Sequence, residues 1–323
     1  MATNTQALVV QEFGQMPVFQ DVAIPVIEGN QALLNVNCCG LNFADLLLLE
    51  GKYQETPILP FSPGLEVAGV VNSIVPDVRG LHVGDRVAAY CGAGGLAGHI
   101  VVDADRCRKI PDTMDDVTAA GFQIAYATSH LALKRRAQLQ EGETLVVLGA
   151  AGGVGLTAVE VGKALGARVI AVARGTEKLS IASAAGADHL VDSEEEDFRE
   201  QLQSLGPINV VYDAIGGELG EKALRLLAPE GRFLVIGFAS GSHPELKPNH
   251  LLVKNQSVIG LNLGAYLKFA PDALADSLDE LMEWYEQGRI KPHVSHVLPF
   301  EKTLEGLELL RSRKSTGKIV ITL

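Results

Sequence analysis

The sequence predicts a mixed α/β chain in which a doubly wound parallel sheet is inserted into a domain of antiparallel β-structure. Three observations support this prediction. Short apolar runs between glycine and proline turns fill the N-terminal third, and strand-like runs alternate with helical stretches from about residue 119. The last segment then returns to helices and a closing strand. A length of 323 residues fits about two domains of ~150 residues each.

Composition excludes several classes of protein. Hydrophobic residues at 47% and charged residues at 20% are typical of a globular chain and argue against disorder. A formal net charge of −12 argues against nucleic acid or an anionic membrane surface as the partner. The longest uncharged apolar stretch, residues 145–159, is shorter than the ~20 residues of a membrane span.

The cysteines and the first residues bear on the cellular compartment. The chain start lacks the basic and apolar regions of a secretory signal. No C-x-x-C pair occurs, and four cysteines are too few for a disulfide scaffold. We therefore expect a cytoplasmic protein with reduced thiols at Cys38, Cys39, Cys91 and Cys107.

The N-terminal third has the pattern of antiparallel β-structure, either a small barrel or a sandwich. Turn signals at Pro60, Pro63-Gly64, Pro76-Asp77 and Gly84-Asp85 separate its apolar runs. One helix is expected near residues 44–49. The predicted strands are residues 7–10, 32–36, 67–71, 86–89 and 100–102.

The middle of the chain alternates strands and helices, which predicts a parallel sheet with right-handed crossovers. Between the first two strands, Val154, Ala158, Val161 and Leu165 keep the spacing of one helix face. The predicted strands are residues 144–148, 168–172, 189–191, 209–212, 232–236 and 258–261.

The C-terminal segment differs from a strand–helix unit. Pro271 opens a helical stretch that ends at Gly288, a second helix is expected at residues 302–311, and residues 318–322 form a closing strand. We expect these elements to pack on the N-terminal β domain. The parallel domain would then be an insertion in a discontinuous one.

The most specific local signal is the glycine-rich segment 149–155, GAAGGVG, which follows an apolar strand and opens an amphipathic helix. Its glycines let the backbone approach a pyrophosphate, and Gly155 allows close helix–strand packing. Ala150 departs from the G-x-G-x-x-G pattern. A glycine-rich turn without ligand is the alternative, but the strand–helix units that follow favour a dinucleotide. The predicted contacts are Ala151, Gly152, Gly153, Val154 and Gly155.

The end of the second strand indicates which dinucleotide. An NAD site places an acid there for the ribose hydroxyls, whereas this chain has Arg174 and Lys178 around that position. Because a guanidinium pairs with a 2′-phosphate, the residues predict NADPH or NADP⁺. The alternatives are that both bases are merely exposed charges, or that Glu177 supplies the acid.

A zinc site is not predicted. A catalytic zinc needs clustered Cys, His and carboxylate ligands, and the eight histidines are scattered without an H-E-x-x-H spacing. We therefore expect no metal.

Several motifs follow one another along the whole chain in a recognisable order. They are GLNFAD at 40–45, GKY at 51–53, PGLEVAG at 63–69, VGDRV at 83–87 and the glycine loop. Together they resemble the medium-chain dehydrogenase/reductase superfamily, within it the zinc-free, zeta-crystallin-like quinone oxidoreductases. The resemblance implies a Rossmann doubly wound parallel sheet inserted in a GroES-like β-barrel catalytic domain. The catalytic domain would comprise residues 1–120 plus 267–323, and the NADP-binding Rossmann domain residues 121–266.

The resemblance also implies site residues. The cysteine and histidine ligands of the zinc enzymes correspond to Asn42 and Leu65, which agrees with the expectation of no zinc. Lys178 and Arg313 correspond to 2′-phosphate positions, and Ser193 stands where some relatives add a tyrosine. Thr128 corresponds to a nicotinamide contact. The remaining implied cofactor contacts lie at strand ends: Ile215, Gly237, Phe238, Asn262 and Leu263.

On the acceptor side, Asn42 is expected to donate an N–H and Tyr53 an O–H to a small acceptor in an apolar cleft, while Asp45 organises the loop. A cleft tyrosine of some relatives is Leu47 here. A quinone needs little help, because its reduced oxyanion is delocalised. The expected function is an NADPH-dependent quinone oxidoreductase. The alternatives are an enone or enoyl-thioester reductase and a non-catalytic, crystallin-like dinucleotide-binding protein.

Because the last strand, residues 258–261, lacks Lys and Pro, we also expect a homodimer through this sheet edge.

Overall fold

The computed structural model of this protein describes residues 3–75, 78 and 80–323. The predicted turn at Pro76-Asp77 lies outside the described residues. The strands are β1 (Asn4–Val9), β2 (Val18–Ala23), β3 (Gln31–Leu41), β4 (Glu66–Ile74), β5 (Arg86–Tyr90), β6 (His99–Asp103), β7 (Cys107–Lys109), β8 (Thr144–Leu148), β9 (Arg168–Ala173), β10 (His189–Asp192), β11 (Ile208–Asp213), β12 (Leu227–Val235), β13 (Ser257–Gly260), β14 (Val294–Pro299) and β15 (Lys318–Thr322).

The helices follow the same chain order. Short 3₁₀ turns lie at Ala104–Arg106 and Phe300–Lys302, and a π-helix at Leu131–Arg136 continues the third α-helix. The α-helices are α1 (Phe43–Leu49), α2 (Asp116–Ala120), α3 (Gln123–His130), α4 (Gly153–Ala164), α5 (Gly175–Ala184), α6 (Phe198–Ser204), α7 (Gly217–Leu226), α8 (Pro248–Lys254), α9 (Leu263–Phe269), α10 (Pro271–Glu286) and α11 (Thr303–Arg311).

The first unit comprises Met1–Ile124 and Pro292–Leu323. Its seven-stranded sheet has the order β14-β15-β3-β4-β5-β7, and β6 also pairs with β3. All its pairs are antiparallel except β14 with β15. β1 and β2 form a separate antiparallel pair. Antiparallel structure is therefore confirmed for this unit, while closure into a barrel stays a prediction. Its core includes the fully buried Leu8, Leu34, Val67, Val87 and Ile319.

The second unit, Ala125–Lys291, contains a six-stranded parallel sheet with the order β10-β9-β8-β11-β12-β13. Counted from β8, this is the order 3-2-1-4-5-6 of a doubly wound Rossmann sheet. All five residues of β8 are buried, as the continuous apolar run predicts for a strand covered on both faces. The predicted fold class, a Rossmann sheet together with a GroES-like sheet, is confirmed.

The domain boundaries differ from the predicted ones. The units change after Ile124 and after Lys291, instead of at 120/121 and 266/267. α10 lies in the second unit, where Ser277 Oγ lies 2.7 Å from His130 Nδ1 of α3. Its expected packing on the N-terminal domain stays a prediction. Its Leu274, Leu278 and Leu281 are buried, and the Trp284 ring stands edge-on to that of His130. α11 and β15 do lie in the first unit.

No helix in the described part of the chain is long and apolar enough to be a candidate membrane span.

Candidate functional site

The glycine-rich loop joins β8 to α4 at the carboxyl edge of the parallel sheet. Gly149 has a φ of 75°, and Gly152 is the N-cap of α4. The first helical hydrogen bond runs from Leu156 N to Gly152 O, at 2.8 Å. The backbone N–H groups of residues 153–155 precede it and have no acceptor within the helix. This geometry offers an anion the positive end of a twelve-residue helix.

Gly155 holds α4 against the loop. A Cβ at Gly155 would lie 2.1 Å from the carbonyl oxygen of Gly149 and 3.1 Å from the Cα of Ala150. The first distance is a steric clash, so only glycine fits at this position. Ala151 is buried next to this contact. Gly155 therefore lets α4 pack closely on the loop that follows β8.

Residues after β11 lie beside the same loop. Asp213 Oδ1 accepts backbone N–H groups from Ile215 and Gly216, each at 2.8 Å. Burial raises the pKa of Asp213, although these two bonds oppose the shift. A Cβ at Gly149 would lie 2.7 Å from Ile215 Cδ1, so Ile215 packs on the glycine loop.

The ends of β12 and β13 carry the other predicted strand-end residues. Gly237 N donates to Asp213 O at 3.2 Å, and the ring of Phe238 stands edge-on to that of His243 at 4.2 Å. Asn262 caps α9, its side chain accepting from Ala265 N at 3.4 Å, and Leu263 is buried. Since parallel strands end at one edge, these residues share the edge with the glycine loop.

Beyond β9, the predicted phosphate-binding bases stand beside acids of β10 and the loop that follows it. Arg174 is the N-cap of α5, which also carries Lys178, and its Nη1 lies 3.8 Å from Glu194 Oε1. Ser193 N donates to Ala173 O at 3.0 Å, and Asp192 Oδ2 accepts from Gly175 N at 3.0 Å.

Sequence reasoning did not anticipate Glu194 as a partner of Arg174, although it begins the acidic run 194–197. The third predicted base, Arg313, lies in the first unit, after α11, with a φ of 55°.

A buried hydroxyl network fixes the helix that bears Thr128. Next to this buried threonine, Ser129 Oγ donates to Val154 O at 3.0 Å. It also lies 2.8 Å from Thr157 Oγ1 and 3.1 Å from Tyr212 OH. These bonds join α3 to α4 and β11, so the position of Thr128 is set by the same elements that form the glycine loop.

One turn further along α4, a buried carboxylate accepts hydrogen bonds from residues near both ends of the second unit. Glu160 accepts from Tyr126 OH through Oε2 and from Lys291 N, at 2.8 Å, through Oε1. Burial raises the pKa of Glu160 to about 7, although these two hydrogen bonds act to lower it.

The first unit contains a buried polar cluster formed by Asn42, Glu66 and Lys318. Lys318 Nζ donates to Glu66 Oε1 at 2.8 Å, to Asn42 Oδ1 at 2.7 Å and to Leu41 O at 2.8 Å. Only 6% of Lys318 and 1% of Glu66 is exposed. All three ammonium hydrogens therefore have acceptors, and the ion pair is removed from water.

The amide of Asn42 is fully engaged in this cluster. Its Nδ2 donates to Glu66 Oε1 at 3.0 Å and to Gly40 O at 3.2 Å. Both amide hydrogens thus have acceptors within the unit, and the bond expected from Asn42 to an acceptor stays a prediction. In this geometry Asn42 positions Glu66, whose Oε2 accepts from Ile124 N at 3.0 Å.

Asp45 holds two loop segments together. Its Oδ2 accepts from Asn42 N at 2.8 Å and its Oδ1 from Gly64 N at 2.9 Å. Complete burial raises the pKa of Asp45 to about 7, while the two backbone bonds lower it. The carboxyl group therefore has the loop-organising geometry expected from the sequence.

Tyr53 lies half-buried between α1 and β4, and its hydroxyl is hydrogen-bonded to that of Tyr90. Burial raises the pKa of Tyr53, whereas the bond from Tyr90 lowers it. Both phenols thus remain protonated near neutral pH. Leu65, which corresponds to the histidine ligand of the zinc enzymes, is buried. No group of three or more His, Cys, Asp or Glu side chains in the described ranges is placed to hold a metal.

Comparisons with known proteins agree with this geometry. The zinc-binding dehydrogenase family matches residues 153–283, and the alcohol dehydrogenase GroES-like domain matches residues 28–112. Quinone oxidoreductase-like protein 2 homolog of Nematostella vectensis is 38% identical over 98% of this chain and 88% of its own length. Quinone oxidoreductase of Sus scrofa is 31% identical over the full length of both chains.

A solved structure extends the likeness to three dimensions. The quinone oxidoreductase from Thermus thermophilus, whose crystal structures include its complex with NADPH, is 33% identical with a TM-score of 0.87. The alignment covers 98% of this chain and 100% of that one. Fold and site thus define an oxidoreductase of the medium-chain dehydrogenase/reductase superfamily. Within it, the chain belongs to the quinone oxidoreductase family, which confirms the resemblance found in the sequence.

The buried ion pair yields a stability prediction. Lys318→Met leaves the Glu66 carboxylate buried without its cation, so the free energy of unfolding should fall by about 3–5 kcal/mol. Adding Glu66→Gln removes the unpaired charge and should restore part of the loss. Urea unfolding of both variants measures the effect. A single variant as stable as the parent, or a double variant less stable than the single one, would contradict the assignment.

Proposed function

We propose that this protein is an NADPH-dependent quinone oxidoreductase that passes a hydride to a quinone-type acceptor without zinc. The observation that carries the proposal is the glycine-rich loop 149–155, which opens α4 at the carboxyl edge of the Rossmann sheet. The NADPH complex of the related Thermus thermophilus enzyme supports the same cofactor here.

The residues present fit the dinucleotide. The N-terminus of α4 suits the pyrophosphate, because Gly155 lets the helix approach the loop and residues 151–154 carry no bulky charged side chain. Arg174 and Lys178 suit a 2′-phosphate beside Ser193. Thr128 and the strand-end residues Ile215, Gly237, Phe238, Asn262 and Leu263 would orient the nicotinamide.

On the acceptor side, this chain supplies a proton donor and a fixed polar frame. When bound, NADPH supplies the hydride, and one proton completes the conversion of a quinone to a hydroquinone and NADP⁺. Tyr53 donates its hydroxyl hydrogen to an acceptor oxygen and regains a proton from solvent. Asn42 keeps Glu66 and Lys318 in place.

The zinc-free part of the proposal rests on the chemistry of the side chains. Zinc prefers thiolate, imidazole and carboxylate ligands, and the two corresponding positions hold an amide, Asn42, and an alkyl group, Leu65. Of the nearby carboxylates, Glu66 is already paired with Lys318 at 2.8 Å, and Asp45 accepts two backbone N–H groups. A dication there would meet the ammonium group. A cytoplasmic location stays a prediction from the cysteine content.

A second candidate function is reduction of an activated C=C bond in an enone or enoyl thioester. That reaction needs a positioned acid for the carbon next to the carbonyl group. The hydrogen-bonded pair of Tyr53 and Tyr90 supports it, because Tyr90 orients the phenol that would give the proton.

An acceptor screen at fixed NADPH concentration tests the function. We expect oxidation of NADPH with tetramethyl-1,4-benzoquinone, little with cyclohex-2-enone, none without acceptor, and no change with a strong chelator. Tyr53→Phe should lower kcat/KM for the quinone only moderately, because the reduced oxyanion is delocalised. If Tyr53 were the acid that protonates a C=C bond, Tyr53→Phe would instead lower kcat/KM for the enone about 100-fold or more.

Each other result selects another function. Faster turnover of the enone favours the C=C reductase, and binding of NADPH without turnover favours the non-catalytic protein. Activity lost with chelator and restored by zinc would contradict the zinc-free site.

Cofactor preference is expected to favour NADPH over NADH. Each charge-assisted contact with the 2′-phosphate contributes about 1.5–3 kcal/mol, less where water has access, so two contacts give on the order of 100-fold. Arg174→Ala, Lys178→Ala and Arg313→Ala should each weaken NADPH and spare NADH. Glu194→Gln removes the competing carboxylate near Arg174 and should favour NADPH further.

The measurement is kcat/KM for both cofactors in the parent and the four variants. Equal values in the parent, or equal losses for the two cofactors, would show that the bases do not bind a 2′-phosphate.

We also propose a homodimer formed through β13. This strand pairs with β12 along one edge, and its other edge meets no strand in the described residues. Val258 and Ile259 are only half-buried, and no Lys or Pro protects the edge. Light scattering at micromolar concentration should give twice the chain mass, and Ile259→Lys should give the monomer. A monomeric parent would remove this proposal.

A further inference from the structure

Glu160 of α4 is a buried carboxylate that the proposed mechanism does not use. Only 7% of the residue is exposed. Its Oε2 accepts from Tyr126 OH, and its Oε1 accepts from Lys291 N at 2.8 Å. A buried charge costs free energy, and an uncharged side chain could fill the same space. The charge therefore needs an explanation beyond packing.

The two donors stand where the chain enters and leaves the second unit. This unit begins at Ala125 and ends at Lys291. Tyr126 is thus its second residue and Lys291 its last. One carboxylate on α4 therefore fixes both ends of the segment that forms the second unit.

Glu160 is also part of a row of contacts between α3 and α4. Three residues of α4 that bond to α3 are spaced by three positions, which places them along one face of the helix: Val154, Thr157 and Glu160. Val154 O accepts from Ser129 Oγ at 3.0 Å, and Thr157 Oγ1 donates to Ala125 O at 3.0 Å. These two contacts are neutral, so a change of protonation alters the row at Glu160.

The groups that face the carboxylate come from α3 and from the segment after α10. Tyr126 stays protonated, because burial and the neighbouring carboxylate raise the pKa of its hydroxyl well above the ordinary value. The charge of Lys291 acts to lower the pKa of Glu160, and Arg289 donates to the last carbonyl of α4 at 2.7 Å. Burial outweighs these contacts and raises the pKa of Glu160 to about 7.

Other charged residues on α4 and the elements next to it are directed elsewhere. Lys163 of α4 is paired at 2.8 Å with an aspartate just before β10, and Lys134 of the π-helix with a glutamate of α10. Arg168 of β9 donates to a carbonyl after α6, and Arg135 and Arg136 are exposed to solvent. The carboxylate is therefore held by its two donors and by burial.

We propose that Glu160 is a positioning residue for the dinucleotide: its ionised carboxylate fixes α3 against α4 and so holds Thr128 in register with the glycine loop, and its protonation loosens this contact. A proton on Oε1 would face the N–H of Lys291, which cannot accept it. A proton on Oε2 would leave the hydroxyl hydrogen of Tyr126 without its acceptor. The inference rests on the proposed function, because it takes NADPH or NADP⁺ as the ligand and Thr128 as a contact of its nicotinamide.

Glu160→Gln tests the proposal, because glutamine keeps the shape of the side chain and cannot titrate. The dissociation constant for NADP⁺ is measured in parent and variant between pH 8 and pH 6. Titration of the 2′-phosphate of the ligand affects both proteins alike, so the ratio of the two constants isolates Glu160. We expect the ratio of parent to variant to rise about fivefold as the pH falls, the size of a weak coupling between two sites.

Two further variants sharpen the pH profile. Tyr126→Phe removes a donor to the carboxylate, so the midpoint of the transition should move to higher pH. Glu143→Gln is a matched control in the second unit, because the hydrogen bond from Arg232 lowers the pKa of Glu143 and keeps it ionised over this range. The control should keep the profile of the parent.

Thermal unfolding without ligand shows whether Glu160 titrates. The folded state binds this proton more tightly than the unfolded chain, whose carboxyl has the ordinary pKa of 4.5. The parent should therefore lose stability relative to Glu160→Gln as the pH rises from 5 to 8, with no further loss well above 7.

The outcomes separate this inference from the proposed function. A difference in melting temperature that does not depend on pH, or equal NADP⁺ profiles in parent and Glu160→Gln, would overturn it and leave Glu160 a structural residue. An unshifted midpoint in Tyr126→Phe would count against it even if Glu160→Gln failed to fold. A parent that binds no NADP⁺ at any pH would contradict the proposed function, and this inference with it.

Discussion

The ion pair between Lys318 and Glu66 is the interaction on which the first unit depends. Two opposite charges so deeply buried are tolerated only because they are paired and every remaining hydrogen has an acceptor. The pair joins β15 to β4, and through Asn42 and Ile124 it also fixes the start of α1 and of α3. The chain must therefore return from the second unit to complete the first, which gives a physical reason for the discontinuous arrangement.

How far each element could be predicted depends on its burial. The parallel strands were predicted to within a few residues, apart from the early start of β12, because strands covered on both faces are continuous apolar runs. β2 and β14 were missed because their residues are mostly exposed or half-buried, so they lack such a run. α10 was recognised as a helix, but its packing partner could not be derived from its sequence, because an amphipathic face shows that a helix packs and does not show against which element.

In the site, a local sequence motif could be predicted, whereas contacts between residues far apart in the chain could not. The glycine loop is a local motif in which strand, turn and helix follow one another, so a few residues of sequence identify it. Lys318 and Glu66 are 252 residues apart, and no spacing rule relates them. The Asn42 amide was predicted to meet the acceptor, and its bonds to Glu66 and Gly40 could not be predicted from the sequence.

The polar cluster also bears on which chemistry the first unit favours. A catalytic metal stabilises a localised oxyanion through an open coordination position, whereas the Lys318 ammonium group has used all its hydrogens on Leu41, Asn42 and Glu66. It therefore holds geometry without polarising an acceptor. An acceptor whose reduced form delocalises its own charge needs less than a metal would give, namely a hydrogen bond and one proton. A quinone meets that condition and a simple ketone does not, so the saturated cluster supports the proposed acceptor class.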